Sequence, residues 1–384
     1  MKITCLLDNL KKGIMSAERI IGKNLTLPIL SNIHLEAKKG GLEISSTNLE
    51  IGVTCKTRAK VEREGKIAIP GRIIGGFLGQ LDKEGKVIIE TKDNSLFITC
   101  HGNKAVIKGV SAKDFPLIPK PHTQALIEIN SAEFQEKVNK ILPCVATSEA
   151  RQELTGVLIT FLEEKLVLAA TDSFRLAESV IKLEKNNIFE DYKRFLVRNN
   201  TIIVPARTLV EVLRNITSPN DKLKIFLGEN QIFFKIDDDI LFVSRLIDGK
   251  YPEYRLVIPK KFSSNVLVKR EEFIRVVKLA SIFSDSKNRE IKVEIKKEKN
   301  KMTILAQSLE TGENASEINC RANVKSDSEI AFNSRYILDA LNVISSPSVF
   351  IGFNDAFGPV IFKEITSEGK IKDDYLHIIM PIKS

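Results

Sequence analysis

The stretch TIIVPARTLVEVLRNI, residues 201–216, decides the fold of this chain. It reads as an apolar strand, a proline break, and then apolar residues at helical spacing. The same order returns in KIAIPGRIIGGFLGQL (66–81) and in SEIAFNSRYILDALNVI (328–344). Pro70 and Pro205 suit a strand-to-helix junction, because the first helical turn has no N–H bond for proline to lose. Asn333 suits the cap of the third helix. A threefold internal repeat is therefore the first expectation.

Working outward, the upstream segments correspond as well. MKITCLLDNLKKGIMSAERII (1–21), ALIEINSAEFQEKVNKILPCV (125–145) and NVLVKREEFIRVVKLASIFS (265–284) each run from a short strand into an amphipathic helix. Phe134, Val138, Ile141 and Leu142 make one apolar stripe; Phe273, Val276, Val277 and Ala280 make another. Asp8 and Ser131 are the expected N-caps. Paired strands fill the remainder, with Gly228-Glu229-Asn230 as a hairpin turn. Each third thus reads β–α–β–α–β in a unit of roughly 125–135 residues. The Pro- and Lys-rich stretches IPKPHT and PKKFSS mark the joints. The expected fold class is α+β: three repeated domains, 1–122, 123–262 and 263–384, each with two helices packed on antiparallel sheet.

The 384 residues carry 43% hydrophobic and 28% charged side chains and a net charge of +9, as a water-soluble chain with room for a polyanionic partner does. No apolar run approaches the ~18 residues a membrane span needs. Asp8, Asn9, Lys11 and Lys12 stand where a signal peptide would be apolar, so the expected location is cytoplasmic. Cys5, Cys55, Cys100, Cys144 and Cys320 are scattered and odd in number, which fits a reducing compartment rather than zinc or disulfides. His34, His101, His122 and His377 are equally dispersed.

Catalytic apparatus is not legible. No P-loop occurs, and the glycines of 71–79 do not match G-x-G-x-x-G; close helix packing is their better reading. Asp237-Asp238-Asp239 lies between two strand-like runs and reads as a turn rather than a metal cluster. No Ser/His/Asp or Cys/His set follows from spacing. No metal, cofactor or catalytic residue is therefore expected. The helices carry a different signal: Lys11, Lys12, Arg19, Lys137, Lys140, Arg270, Arg275 and Lys278 on the first of each pair, with Arg72, Arg207, Arg214 and Arg335 on the second. They are either ordinary solvated faces or one repeated basic face for a phosphate backbone. Without Trp or aromatic interleaving, base readout and single-strand stacking are disfavoured.

At this point dispersed motifs converge. Leu27-Pro28-Ile29-Leu30-Ser31-Asn32, Thr47-Asn48-Leu49-Glu50, Ala170-Thr171-Asp172-Ser173-Phe174-Arg175-Leu176-Ala177, Asp248-Gly249-Lys250-Tyr251-Pro252-Glu253-Tyr254 and Tyr375-Leu376-His377-Ile378-Ile379-Met380-Pro381-Ile382 occur in order over essentially the whole chain. In these the chain resembles the bacterial DNA polymerase III beta subunits, the sliding clamps. The resemblance implies a head-to-tail homodimeric ring around duplex DNA, helices inside and sheets outside. It implies no reaction of its own, but a cytoplasmic, nucleoid-associated processivity factor for the polymerase catalytic subunit. It further implies opening by a separate clamp loader and a pocket for the short peptides of polymerases, loader and repair proteins.

Carried over by motif, the pocket lining is Leu154, Thr171, Ser173, Phe174, Arg175, Leu176, Pro252, Val257, Asn333, Tyr336, Phe357, Pro359, Ile379, Met380, Pro381 and Ile382. The implied DNA contacts are Arg72, Ser148, Arg151, Arg207 and Arg214, with Lys23 and Asn24 on the loop before Leu27. At the subunit contact, Ile282 and Phe283 are expected to meet Lys104 and Ile107 of a second copy. The chain departs from the family where Gly-His is replaced by Ser173-Phe174, an Arg by Leu256, a loop Arg by Asn24 with Lys23 beside it, and a terminal Arg-Leu by Lys383-Ser384. These changes imply a more apolar pocket. The alternatives are a nucleic-acid-processing enzyme with a dispersed site and a monomeric interaction scaffold.

Overall fold

A computed structural model describes residues 1–22, 27–82, 84–198, 200–297 and 300–383. The first third contains β1 (Lys2–Leu6), α1 (Leu7–Glu18), β2 (Asn32–Lys38), β3 (Gly41–Thr47), β4 (Ile51–Thr57), β5 (Ala59–Arg63), β6 (Gly65–Pro70), α2 (Gly71–Gly79), β7 (Lys86–Lys92), β8 (Ser95–Cys100) and β9 (Asn103–Lys108). The middle third contains β10 (Ile127–Asn130), α3 (Ser131–Ile141), β11 (Gly156–Leu162), β12 (Lys165–Thr171), β13 (Arg175–Lys182), α4 (Glu190–Arg198), β14 (Thr201–Pro205), α5 (Ala206–Asn215), β15 (Lys222–Leu227), β16 (Gln231–Ile236) and β17 (Ile240–Arg245). The last third contains β18 (Ser264–Lys269), α6 (Arg270–Ile282), β19 (Glu290–Lys296), β20 (Lys301–Ser308), β21 (Gly312–Asn323), β22 (Ser328–Asn333), α7 (Ser334–Val343), β23 (Ser348–Phe353), β24 (Val360–Glu364) and β25 (Tyr375–Ile379).

The pairing repeats with the order. β2–β3–β4, β11–β12–β13 and β19–β20–β21 are antiparallel meanders, each flanked by the strand before the second helix. β7–β8–β9, β15–β16–β17 and β23–β24–β25 are the matching second meanders, each flanked by the first strand of its third.

The chain packs as two compact units. One holds residues 1–133, 184–199 and 207–246; the other holds 134–183, 200–206 and 247–384. In the first, β17 pairs with β4, from Ile240 opposite Cys55 to Ser244 opposite Ile51, which joins two meanders into an eight-stranded sheet. In the second, β13 pairs with β25, from Arg175 opposite Ile379 to Ser179 opposite Tyr375, within a twelve-stranded sheet. Helices α1 and α2 pack together in the first unit, as α6 and α7 do in the second. Their buried faces (Leu7, Leu10 and Ile14 on α1; Phe273, Val276 and Val277 on α6) meet the sheets.

Several local expectations need correction. The middle third carries a third helix, α4, that the strand–helix alternation did not reveal. Glu190 and Asp191 favour its positive N-terminal end, and Tyr192 buries its ring. Asp8 does not cap α1, which begins at Leu7 after an uncapped Leu6. Ser131 does not cap α3; the Asn130 side chain does, accepting the Glu133 N–H at 3.1 Å while the Ser131 hydroxyl donates to the Ser218 carbonyl. Asn333 does cap α7, accepting the Arg335 N–H at 3.0 Å. The glycine run of α2 divides. A Cβ on Gly75 would sit 2.0 Å from the Glu18 carboxylate, whereas Gly76 and Gly79 face open space. Close approach thus explains only part of that run.

Candidate functional site

The second unit contains an apolar cleft of about 290 Å³. Its making starts with a turn. The Thr171 hydroxyl donates to the Arg175 carbonyl at 2.7 Å and accepts the Ser173 N–H at 3.1 Å. Asp172 accepts the N–H groups of Phe174 and Arg175 at 2.9 and 3.0 Å. This network holds Ser173 at φ 78°, the left-handed region that glycine enters more freely. The first third repeats the turn: Thr47 and Asn48 make the same bonds, and Leu49 takes φ 74°.

From the turn, β13 runs beside β25, so that Leu176 and Ile378 stand opposite one another. Both line the cleft, with Met380, Pro252, Tyr254 and Val257. Beneath lies a buried cluster of Leu154, Ala169, Tyr251 and Ile361. The Tyr254 hydroxyl donates to Glu178, and burial, with that contact second, raises its pKa, so the ring stays neutral. The Arg175 guanidinium is buried between carboxylates, 3.0 Å from Asp172 and bonded to Asp339, and lies 4.4 Å from the Tyr336 ring centroid. Two carboxylates thus flank the Arg175 cation in the cleft wall.

Behind the cleft the fold assembles a Cys–His pair that no spacing had suggested. The Cys144 sulfur lies 3.6 Å from His377 Nε2, and the Tyr375 hydroxyl lies 3.0 Å from Nδ1. Burial, helped by Arg175, lowers the His377 pKa to about 3, and burial raises the Cys144 thiol. A buried neutral imidazole beside a protonated thiol is packing, not an activated nucleophile.

Of the expected cleft residues, the structure gathers Thr171, Ser173, Arg175, Leu176, Pro252, Val257 and Met380. Leu154 supports them from below, Tyr336 stacks on Arg175, and Asn333 is occupied as a helix cap. Phe174 and Phe357 are largely exposed, and the Phe174 carbonyl accepts the Met380 N–H at 2.9 Å. Pro359 directly precedes β24. Ile379 and Pro381 are buried rather than open to the cleft, and the Ile382 N–H donates to the Ala331 carbonyl. Glu253, Tyr254 and Ile378 also line the cleft. Ile378 was available from the alternation of β25, since it faces the same way as Met380.

The expected nucleic-acid contacts separate. In the first unit, Arg72 and Arg207 meet in a polar hollow of about 590 Å³ with Arg19, Glu18, Asn48 and Glu50. Arg19 and Arg214 both pair with Glu211, at 3.1 and 2.7 Å. In the second unit, Arg151 lies at the cleft mouth, 3.0 Å from Glu153 and 3.3 Å from the Ser173 hydroxyl. Ser148 accepts the Ala150 N–H. Lys23 and Asn24 lie outside the described residues.

The repeated basic face loses two members. Lys140 is buried against Glu364 at 2.9 Å and Glu136 at 2.8 Å, and Lys137 pairs with Asp374. They serve internal ion pairs, so they leave no basic face on that helix side. Glu364 also accepts the Ser345 N–H at 2.9 Å and lies 3.2 Å from Lys372. Burial would raise its carboxyl, but these partners hold it at about 2. At the expected subunit contact, Lys104 and Ile282 are exposed, Phe283 is half-buried and the Ile107 side chain is buried; the exposed apolar neighbour is Val106. Asp237–Asp239 form the turn between β16 and β17, with Asp237 accepting the Lys222 N–H. Among the described residues, no cluster of three or more potential metal ligands is present, and no helix is long and apolar enough to cross a membrane.

Known proteins share this arrangement. The N-terminal, central and C-terminal domains of the DNA polymerase III beta subunit match residues 1–119, 128–253 and 255–383. The beta sliding clamp of Buchnera aphidicola subsp. Rhopalosiphum padi is 29% identical over 384 residues, covering 99% of this chain and 100% of that protein. The beta sliding clamp of Synechococcus elongatus is 27% identical over 387 residues, covering 100% and 99%. The crystal structure of the Thermotoga maritima DNA polymerase III beta subunit superposes with a TM-score of 0.88 at 26% identity, covering 100% of this chain and 99% of that one. A Pseudomonas aeruginosa sliding clamp bound to griselimycin has the same fold, with a TM-score of 0.88 at 23% identity and full coverage of both chains.

Proposed function

The chain belongs to the DNA polymerase III beta-subunit family, and from that premise we propose that it works as a DNA sliding clamp. It is a processivity factor, not a catalyst: a ring on duplex DNA that tethers the replicative polymerase. Its place of work is the cytoplasm, at the nucleoid. Three domains, 1–122, 123–262 and 263–384, are the natural division of the repeat.

One observation carries the assembly. Twice within the chain, the last strand of one third pairs with the last strand of the first meander in a neighbouring third: β17 with β4, and β25 with β13. The third instance needs β9 and the Gly312–Asn319 part of β21. Within the chain, β9 pairs with β8, and that part of β21 pairs with β20. Their free flanks support pairing with a second copy, head to tail. A head-to-tail contact made twice closes a homodimeric ring, and Lys104, Ile107, Ile282 and Phe283 are the residues we assign to it.

A closed ring holds DNA by topology, so its phosphate contacts need only be weak and sequence-independent. Arg72 and Arg207 suit that task; Arg214, Arg151 and Ser148, each bonded within the chain, would exchange or share that partner with a phosphate. The cleft in the second unit suits an apolar peptide end. Its occupants would be segments of the polymerase catalytic subunit, the clamp loader and other clamp-binding proteins.

The test is retention. Loaded onto nicked circular DNA, the protein should survive a high-salt wash and be released when the circle is cut. Equal retention on linear DNA would rule out topological binding.

A further inference from the structure

The open glycines of α2 gain a role when the three second helices are laid over one another. Strands β6, β14 and β22 end at Pro70, Pro205 and Asn333, and the sixth residue beyond each is Gly76, Glu211 and Asp339. Two of these positions carry a carboxylate that bonds to the preceding third. Glu211 accepts from Arg19, directly after α1, at 3.1 Å, and Asp339 accepts from Arg175, which opens β13. The first joint is made by α1 meeting α5. There the Ser16 hydroxyl also donates to Asn215, and the Lys12 ammonium donates to the Thr217 hydroxyl at 3.1 Å. Gly76 has no side chain with which to make such a bond.

The two faces of that joint occur once more, on α6 and on α2. Counted from their first residues, Leu7 and Arg270, α1 and α6 bury corresponding positions: Leu10, Ile14 and Ala17 on one, Phe273, Val277 and Ala280 on the other. The same count puts Arg275, Leu279 and Ile282 where Lys12, Ser16 and Arg19 stand. Counted from the strand ends, Gly76, Gln80 and Asp82 stand where the middle third has Glu211, Asn215 and Thr217. Where the joint is made its positions are dry: Ser16, Thr208, Glu211 and Asn215 are all buried. Their counterparts Leu279, Ile73, Gly76 and Gln80 are all exposed. Three of the exposed positions at this unmade joint are large and aliphatic, Ile73, Leu279 and Ile282, which marks a surface covered in use.

We propose that α6 of one chain packs on α2 of a second copy and that a glycine seat and one ion pair carry the recognition. In this joint Arg275 pairs with Asp82, Leu279 lies against Gln80, and Ile282 sits over Gly76. Gly79, which replaces Arg214, clears the space beside it. A Cβ at Gly76 or Gly79 would meet nothing within its own chain, so the bareness of α2 serves the partner and not the fold of this one. Arg275 and Asp82 are both exposed, and among the described residues neither has an ion-pair partner. Opposite charges thus stand ready at the position where Lys12 meets Thr217 in the joint within the chain. The inference rests on the head-to-tail reading and adds to it which side chains recognise the second copy.

The dissociation constant of the dimer, measured by sedimentation at low ionic strength, tests it. Asp82→Arg and Arg275→Glu each bring like charges together and should weaken the dimer at least about tenfold, whereas the double variant should return to within about threefold of the unaltered protein. Gly76→Leu should weaken the dimer by at least about tenfold too, although leucine suits an exposed helix position better than glycine does. An unchanged circular dichroism spectrum verifies the fold of each variant. Single variants that dimerise normally, or a double variant that stays weak, overturn the pairing of Arg275 with Asp82. A Gly76→Leu dimer as tight as the unaltered one overturns the glycine seat. If the unaltered protein is itself a monomer at micromolar concentration, the head-to-tail reading falls instead.

Discussion

At the residue scale, two buried groups set the response of the second unit to acid. His377 is held neutral, with a pKa lowered from 6.5 to about 3 by burial and then by Arg175. The unfolded chain binds a proton there that the folded chain refuses, so stability is intact above 6.5 and falls as pH drops towards 3. Glu364 is lowered from 4.5 to about 2, so its contribution is full above 4.5 and is lost on the way down to 2. Urea unfolding should therefore show two stages, the first with a slope of up to ~1.4 kcal/mol per pH unit. His377→Gln should flatten the first stage and leave the second. A first stage that persists in the variant would mean that another group titrates. At this scale sequence was a partial guide. Thr171 and Arg175 could be assigned by motif, because their bonds to each other and to Asp172 are local to one turn, whereas the Arg175 bond to Asp339 is not. Lys137 and Lys140 could not be told from surface lysines, since Asp374 and Glu364 are more than two hundred residues away in the chain.

At the element scale, each strand–helix junction is legible because its physics is local. Asn333 ends β22 and caps α7 with one side chain. Asn333→Ala should cost about 1 kcal/mol of stability in urea unfolding, and a loss under a few tenths would show that the cap is not limiting. Helix α4 was missed because nine residues between two strands leave little periodicity to read. The open strand flanks carry the assembly prediction. Ile282 ends α6 and is 65% exposed, so a charge there should be harmless to the isolated chain. Ile282→Asp should shift the protein from dimer to monomer by light scattering with an unchanged circular dichroism spectrum. A dimer that persists would remove α6 from the subunit contact.

At the scale of the whole molecule, the question is where the +9 charge goes. Arg72 and Arg207 are more than a hundred residues apart, yet share one hollow. Replacing both by Ala should lower the log–log salt slope of binding to linear duplex by about 2 and leave peptide affinity alone. An unchanged slope would mean that other cations carry the phosphate contact. What the sequence by itself determined is the threefold order of strands and helices, the turns at Thr47 and Thr171, and the two proline junctions. Those follow from periodicity and from bonds spanning a few residues. Only the tertiary structure decided which side chains meet: the cleft floor from β13 and β25, the neutral Cys144–His377 pair, the hollow holding Arg72 and Arg207, and the burial of Lys140. Each joins distant segments through sheet pairing. A strand's sequence states which face is apolar, but the strand laid beside it determines what that face touches.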